Sequence, residues 1–146
     1  MNALHTVVGR SLWLSIGAAA ILVAGCATTS STGGTRITLS GSNEVPAVST
    51  AANGNGQLTI DPDQSIKGSV STNGVSATAA HVHMGAAGEN GPVIITLTKT
   101  PDGVWWVPAG TKLTNAQYDA FKAGKLYVNV HSDAYKNGEI RGQLNP

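Results

Sequence analysis

A single cysteine, Cys26, stands in the 146 residues, so no disulfide can form within the chain. The same scarcity removes thiolate clusters as metal ligands and leaves histidine as the available ligand type. Charge of either sign is sparse, with nine Lys and Arg against eight Asp and Glu. Nucleic-acid binding rests on a basic face, and this balance supplies none. A helix needs roughly 20 apolar residues to cross a bilayer, and no run of that length is present. The chain also lacks a glycine-rich turn opening a helix for phosphate and a nucleophile elbow for acyl transfer.

What is present begins with the first 25 residues. Met1 to Arg10 carries a basic residue and no acid, and Ser11 to Ala24 (SLWLSIGAAAILVA) is uncharged and short. A basic start, a short apolar stretch and a small-residue junction mark a secretory signal peptide. The junction Val23-Ala24-Gly25-Cys26 resembles a bacterial lipobox, which implies lipid attachment at Cys26. The expected organisation is therefore a lipoprotein signal over 1–25, a lipidated flexible tether over 26–35, and one domain over 36–146. Residue 27 is Ala, which leans towards the outer membrane if the host is Gram-negative. With Arg10 removed, basic and acidic residues are equal in number.

The tether ATTSSTGGT is small, polar and without apolar periodicity. Beyond it, short alternating runs are separated by Gly, Pro, Asn and Asp. They predict strands over 36–40, 56–60, 66–71, 79–84, 93–98, 104–107, 126–131 and 139–144. Such a series predicts an all-β fold, an antiparallel Greek-key sandwich or barrel. One short helix is expected before the penultimate strand. Thr114 and Gln117 have capping-box spacing, Ala116, Ala120 and Ala123 lie near one stripe beside Tyr118 and Phe121, and Gly124 supplies a stop.

Period-two alternation in Ala80-His81-Val82-His83-Met84 sends Ala80, Val82 and Met84 inward and both imidazoles to the other face. Leu126 to His131 repeats the pattern, with Tyr127, Asn129 and His131 facing out. A His-x-His pair with a third histidine from another strand is a common way to hold copper or zinc. The candidate ligands are His81, His83 and His131, and a shared ion requires their nitrogens within about 4 Å of one another. Asn137-Gly138 taken as a two-residue turn sets His131 opposite Leu144, whereas a longer loop sets it opposite Glu139. Glu139 is then a candidate fourth ligand or a partner for an imidazole N–H, unless it pairs with Arg141. His131-Ser132-Asp133 is not a triad, because neighbours on a strand cannot turn to bond one another. Trp105-Trp106 is expected to place one indole inside and one outside.

Three stretches carry a family resemblance: Leu39-Ser-Gly-Ser-Asn-Glu-Val-Pro-Ala-Val48, Ala79 to Val93, and Leu126 to Leu144. Together they resemble the CHRD domain, the chordin-type domain of many exported bacterial proteins. The resemblance implies an all-β Greek-key domain outside the cytoplasm and brings no settled activity with it. Ala47 and Lys136-Asn137 depart from the usual prolines and glycine of the family's turns. A fainter similarity to copper–zinc superoxide dismutase meets only three histidines and no histidine-rich zinc loop. Three functions are therefore expected in order. First comes a lipid-anchored binding module of the cell envelope with a histidine-held copper or zinc ion. A metal-free module for an envelope or extracellular protein partner comes second, with its histidines bonded to the Gly85–Gly91 loop. A dismutase-like copper redox enzyme comes last, and finding the histidines on separate faces would favour the second.

Overall fold

A computed structural model describes residues 34–146; the leader, Cys26 and most of the tether lie outside the described residues. Nine strands form one antiparallel sheet: β1 Thr35–Ser40, β2 Asn53–Ile60, β3 Ile66–Asn73, β4 Ala77–Met84, β5 Val93–Thr96, β6 Thr98–Lys99, β7 Trp105–Trp106, β8 Leu126–Ser132 and β9 Ile140–Leu144. Their spatial order is β5-β4-β8-β9-β1-β2-β3-β7-β6. β1, β2 and β3 are successive hairpin neighbours, while β9 returns from the far end of the chain to lie beside β1. This is a Greek-key return, and the expected all-β class holds.

The predicted strand over 93–98 is broken. Val93–Thr96 pairs with β4 at one edge of the order, and Thr98–Lys99 pairs with β7 at the other. One residue, Leu97, separates the two edges, so the sheet curls back until they nearly meet. A residue at that seam cannot follow both ladders. Leu97 instead donates its N–H to Ala80 O at 2.9 Å and buries its side chain in the core. The curl reduces exposed strand edge, which otherwise templates aggregation.

The apolar positions fill the inside of this curl. Leu39, Leu58, Val70, Ala80, Val82, Leu126, Val128, Val130, Ile140 and Leu144 have no measurable exposure. Each lies on the face its alternation predicts. The Trp pair splits as expected, Trp105 buried and Trp106 47% exposed. The helix α1, Asn115–Lys122, has both capping-box bonds, Gln117 N to Thr114 Oγ1 at 3.3 Å and Thr114 N to Gln117 Oε1 at 2.8 Å. Its packing face differs from the alanine stripe: Phe121 is buried and Tyr118 and Ala120 half-buried, whereas Ala116 and Ala123 are exposed. The larger apolar surface of the aromatic rings decides which face turns in.

β8 and β9 settle the register question. Val130 pairs with Ile140 and Leu126 with Leu144, which places His131 opposite Glu139. Asn137-Gly138 is not a two-residue turn but the end of a longer loop, closed by Gly138 N–H donating to Tyr135 O at 3.1 Å.

Replacing Leu97 with Ala is expected to cost about 2–5 kcal/mol, as for other buried large-to-small changes. Urea unfolding followed by tryptophan fluorescence measures it, with Ala123→Ser expected within about 0.5 kcal/mol of the parent.

Candidate metal centre

The outer faces of β4, β8 and β9 carry His81, His83, Tyr127, Asn129, His131, Arg141 and Gln143 at alternate positions. Alternation alone assigns this face to solvent. The structure covers it instead. Tyr127, Asn129 and Arg141 are 2%, 3% and 1% exposed, and His83 is buried too. The residues form a second, polar layer against the sheet, roofed by the 85–91 loop, the turn at Gly41–Glu44 and the loop after β8.

Three stacked groups organise this layer. The Arg141 guanidinium lies 3.4 Å from the Tyr127 ring centroid, and Tyr127 stacks on His83 with centroids 4.8 Å apart and planes 9° from parallel. A cation over an aromatic face gains from the ring quadrupole, and the gain grows when both are desolvated. Arg141 donates Nη2 to Ala86 O at 3.0 Å and Glu89 O at 2.9 Å, tying the 85–91 loop down. Gly91 closes the loop on the stack: its N–H donates to Tyr127 Oη at 3.1 Å and its carbonyl accepts from His83 Nδ1 at 2.9 Å. Only glycine fits there, because a Cβ would collide with Met84 O.

The three histidines converge. One nitrogen from each of His81, His83 and His131 lies within 4.8 Å of the others, and they are the group of this kind found among the described residues. His81 Nδ1 and His131 Nε2 are 2.9 Å apart, and His131 Nδ1 donates to Lys136 O at 2.9 Å. A carbonyl only accepts, so it places the proton of His131 on Nδ1 and that of His83 on Nδ1. Both Nε2 atoms then carry bare lone pairs. His81 Nδ1 must be the donor in its contact with His131, so a proton joins these two nitrogens where an ion would join them instead. Metal–nitrogen bonds of about 2.0–2.1 Å allow about 4.2 Å between two ligands, so shifts of under about 1 Å close the set. The register between β4 and β5 shifts at Val82/His83, where Ile94 of β5 is the extra residue, while His83 keeps its place opposite Tyr127 of β8.

Electrostatics favour the neutral, ligating form. Burial lowers the His81 pKa below its ordinary value, helped by the charges of His131 and His83. Burial likewise lowers that of His83; the carbonyl of Gly91 opposes this, and His131 and Arg141 add to it. Glu44 moves the other way: burial raises its pKa, against hydrogen bonding from Asn129 and the pull of Arg141.

Glu139 does not join the histidines. Its carboxylate accepts from Thr50 Oγ1 at 2.9 Å and from Ser132 Oγ at 2.5 Å. Ser132 shares the inward parity of Leu126, Val128 and Val130, so Glu139 turns under the sheet end although its backbone stands opposite His131. The alternative pairing with Arg141 is absent too, since Arg141 is satisfied by loop carbonyls. The acid that reaches the polar layer is Glu44, whose Oε1 accepts from Asn129 Nδ2 at 3.0 Å. It arrives on the turn after β1, and no local pattern in the sequence links it to a strand 85 residues away. The 132–138 loop packs onto this pair through Gly138, at a φ of +131°, where a Cβ would strike both Asn129 and Glu44.

Comparison with curated proteins and with solved structures returns no match for the chain. The CHRD domain family model matches residues 35–144, which takes in every strand described above. On that match the chain belongs to the CHRD domain family.

Proposed function

We propose that this chain is a lipid-anchored, extracytoplasmic binding module that holds one copper or zinc ion through His81, His83 and His131, with copper ahead of zinc. The observation that carries the reading is the convergence of three imidazole nitrogens within 4.8 Å of one another. Two of the rings are also oriented by backbone carbonyls on their far nitrogens, the usual outer support of metal-bound histidine. When bound, the ion adds positive charge and one or more open coordination positions. The chain's part is to orient the imidazoles and limit water through the 85–91 loop. A redox enzyme needs more: turnover and a group to move protons, and Glu139 is committed to Ser132 and Thr50.

A metal-free interaction domain is the second reading. His83 bonded to Gly91 O favours it, as does the proton shared by His81 and His131. The common face of all three histidines weighs against it. Anchoring at Cys26 rests on the lipobox-like junction, and the partner side of the proposal extends to an envelope or extracellular protein.

Isothermal titration of the detergent-solubilised full chain with Cu²⁺ and with Zn²⁺ is expected to give one site per chain. Changing each of the three histidines singly to Ala should weaken it at least about tenfold, each ligand being worth more than its outer support. Affinity indifferent to all three changes would sink the reading. Growth with radiolabelled palmitate should label the wild type and not Cys26→Ser, which leaves the membrane fraction.

Acid pH tests the imidazoles without metal. Unfolded histidines titrate near pH 6.5. His81 and His83 have lower values in the fold, so their contribution is complete above about 6.5 and is lost as pH falls through the folded values. Glu44, raised by burial, contributes below its unfolded value and loses that as pH rises through its folded one. Thermal melts of the apo protein should therefore fall from pH 7.5 to 5.5, and a His81→Gln/His83→Gln variant should fall less, with the Glu44 slope common to both.

A further inference from the structure

Asn129 lies directly across the ladder from His81 on one side and from Arg141 on the other, at the centre of the polar layer. Its amide nitrogen is fully committed, donating to Glu44 Oε1 at 3.0 Å and to Asn137 O at 3.4 Å. Both partners are acceptors, so the amide cannot flip: an oxygen in that position would face a carboxylate and a carbonyl. Asn129 Oδ1 is thereby aimed the other way. It is buried, and no protein donor reaches it among the described residues. The same is true of His83 Nε2, whose ring is fixed by its Nδ1–H bond to Gly91 O. Asn129 and His83 are neighbours, and the Asn129 side chain favours a protonated His83 ring, as an acceptor beside it does. Two lone pairs therefore share one buried region with no hydrogen between them. Leaving such acceptors unmet is unfavourable, so the arrangement calls for a positively charged or donating guest.

We infer that Asn129 supplies the fourth protein ligand atom, its Oδ1 completing a three-nitrogen, one-oxygen set for a divalent ion with His81, His83 and His131. The inference rests on the histidine reading above and narrows it. An amide oxygen is a harder donor than imidazole, so a borderline divalent ion such as Cu²⁺ or Zn²⁺ gains from it where a soft monovalent ion, which takes imidazole, does not. Glu44 and Gly138 become positioning residues: Glu44 holds the amide by its nitrogen, and Gly138 lets the loop approach the pair closely.

The test compares divalent and monovalent ions on the full chain. Asn129→Ala is expected to weaken Zn²⁺ and Cu²⁺ binding by about 10- to 100-fold. It should leave Ag⁺ within about threefold. In the wild type, the Asn129 ¹³Cγ resonance should move on adding Zn²⁺ while those of Asn43 and Asn137 hold still. Unchanged Zn²⁺ affinity, equal losses for Zn²⁺ and Ag⁺, or a stationary Asn129 ¹³Cγ would each overturn the assignment while leaving the three histidines as ligands. If Asn129→Ala does not fold, the wild-type resonance alone decides. A wild type that takes up none of the three ions overturns the histidine reading as well.

Discussion

Burying the Arg141 guanidinium obliges the protein to satisfy a permanently charged fork of N–H donors without water. Among the described residues no carboxylate pairs with it directly; the carbonyls of Ala86 and Glu89 take its Nη2 hydrogens, and the Tyr127 ring covers its face. Each solution recruits another part of the chain. The carbonyls belong to the 85–91 loop, which can donate them only by folding over the sheet. That fold brings Gly91 onto Tyr127 and His83 at once. A single cation thus converts the outward side of β4, β8 and β9 into an interior.

An interior of this kind has different chemistry from an apolar core. Burial of His81 and His83 lowers their pKa values and so favours the neutral form that ligates a cation. Their rings cannot swing freely, because His83 and His131 are pinned by carbonyls and His83 by the stack as well. The Glu44–Asn129 contact imposes the same discipline on an amide. What results is a cluster of lone pairs held by acceptor groups behind them, and the cluster's polarity sets the sign of any guest. Such pre-orientation lowers the entropy lost on binding.

The apolar skeleton was legible from the chain alone. Alternation at Ala80–Met84 and Leu126–His131 assigned inward and outward sides correctly, because period two follows from strand geometry and needs no partner. The capping box at Thr114 and Gln117 was equally local. Failures came where a residue's fate depended on distant chain. Val93–Thr98 reads as one strand, yet changes partners at Leu97 because the sheet curls. Glu139 stood opposite His131 as the longer-loop register required, but hydroxyls at Thr50 and Ser132 claimed its carboxylate.

Sequence by itself determined the strand faces, the helix at Asn115–Lys122 and the shared side of the three histidines, since these follow from backbone periodicity and side-chain type. It also pointed to imidazole rather than thiolate as a candidate donor, because the chain has one cysteine. Tertiary structure alone decided that this side is buried, that Glu44 and not Glu139 meets it, and that Asn129 points an unmet oxygen into it. The reason is physical: hydrogen-bond satisfaction in a water-poor layer is settled among groups 50 to 85 residues apart, such as His131 with His81 and Glu44 with Asn129. No local pattern encodes such a pairing.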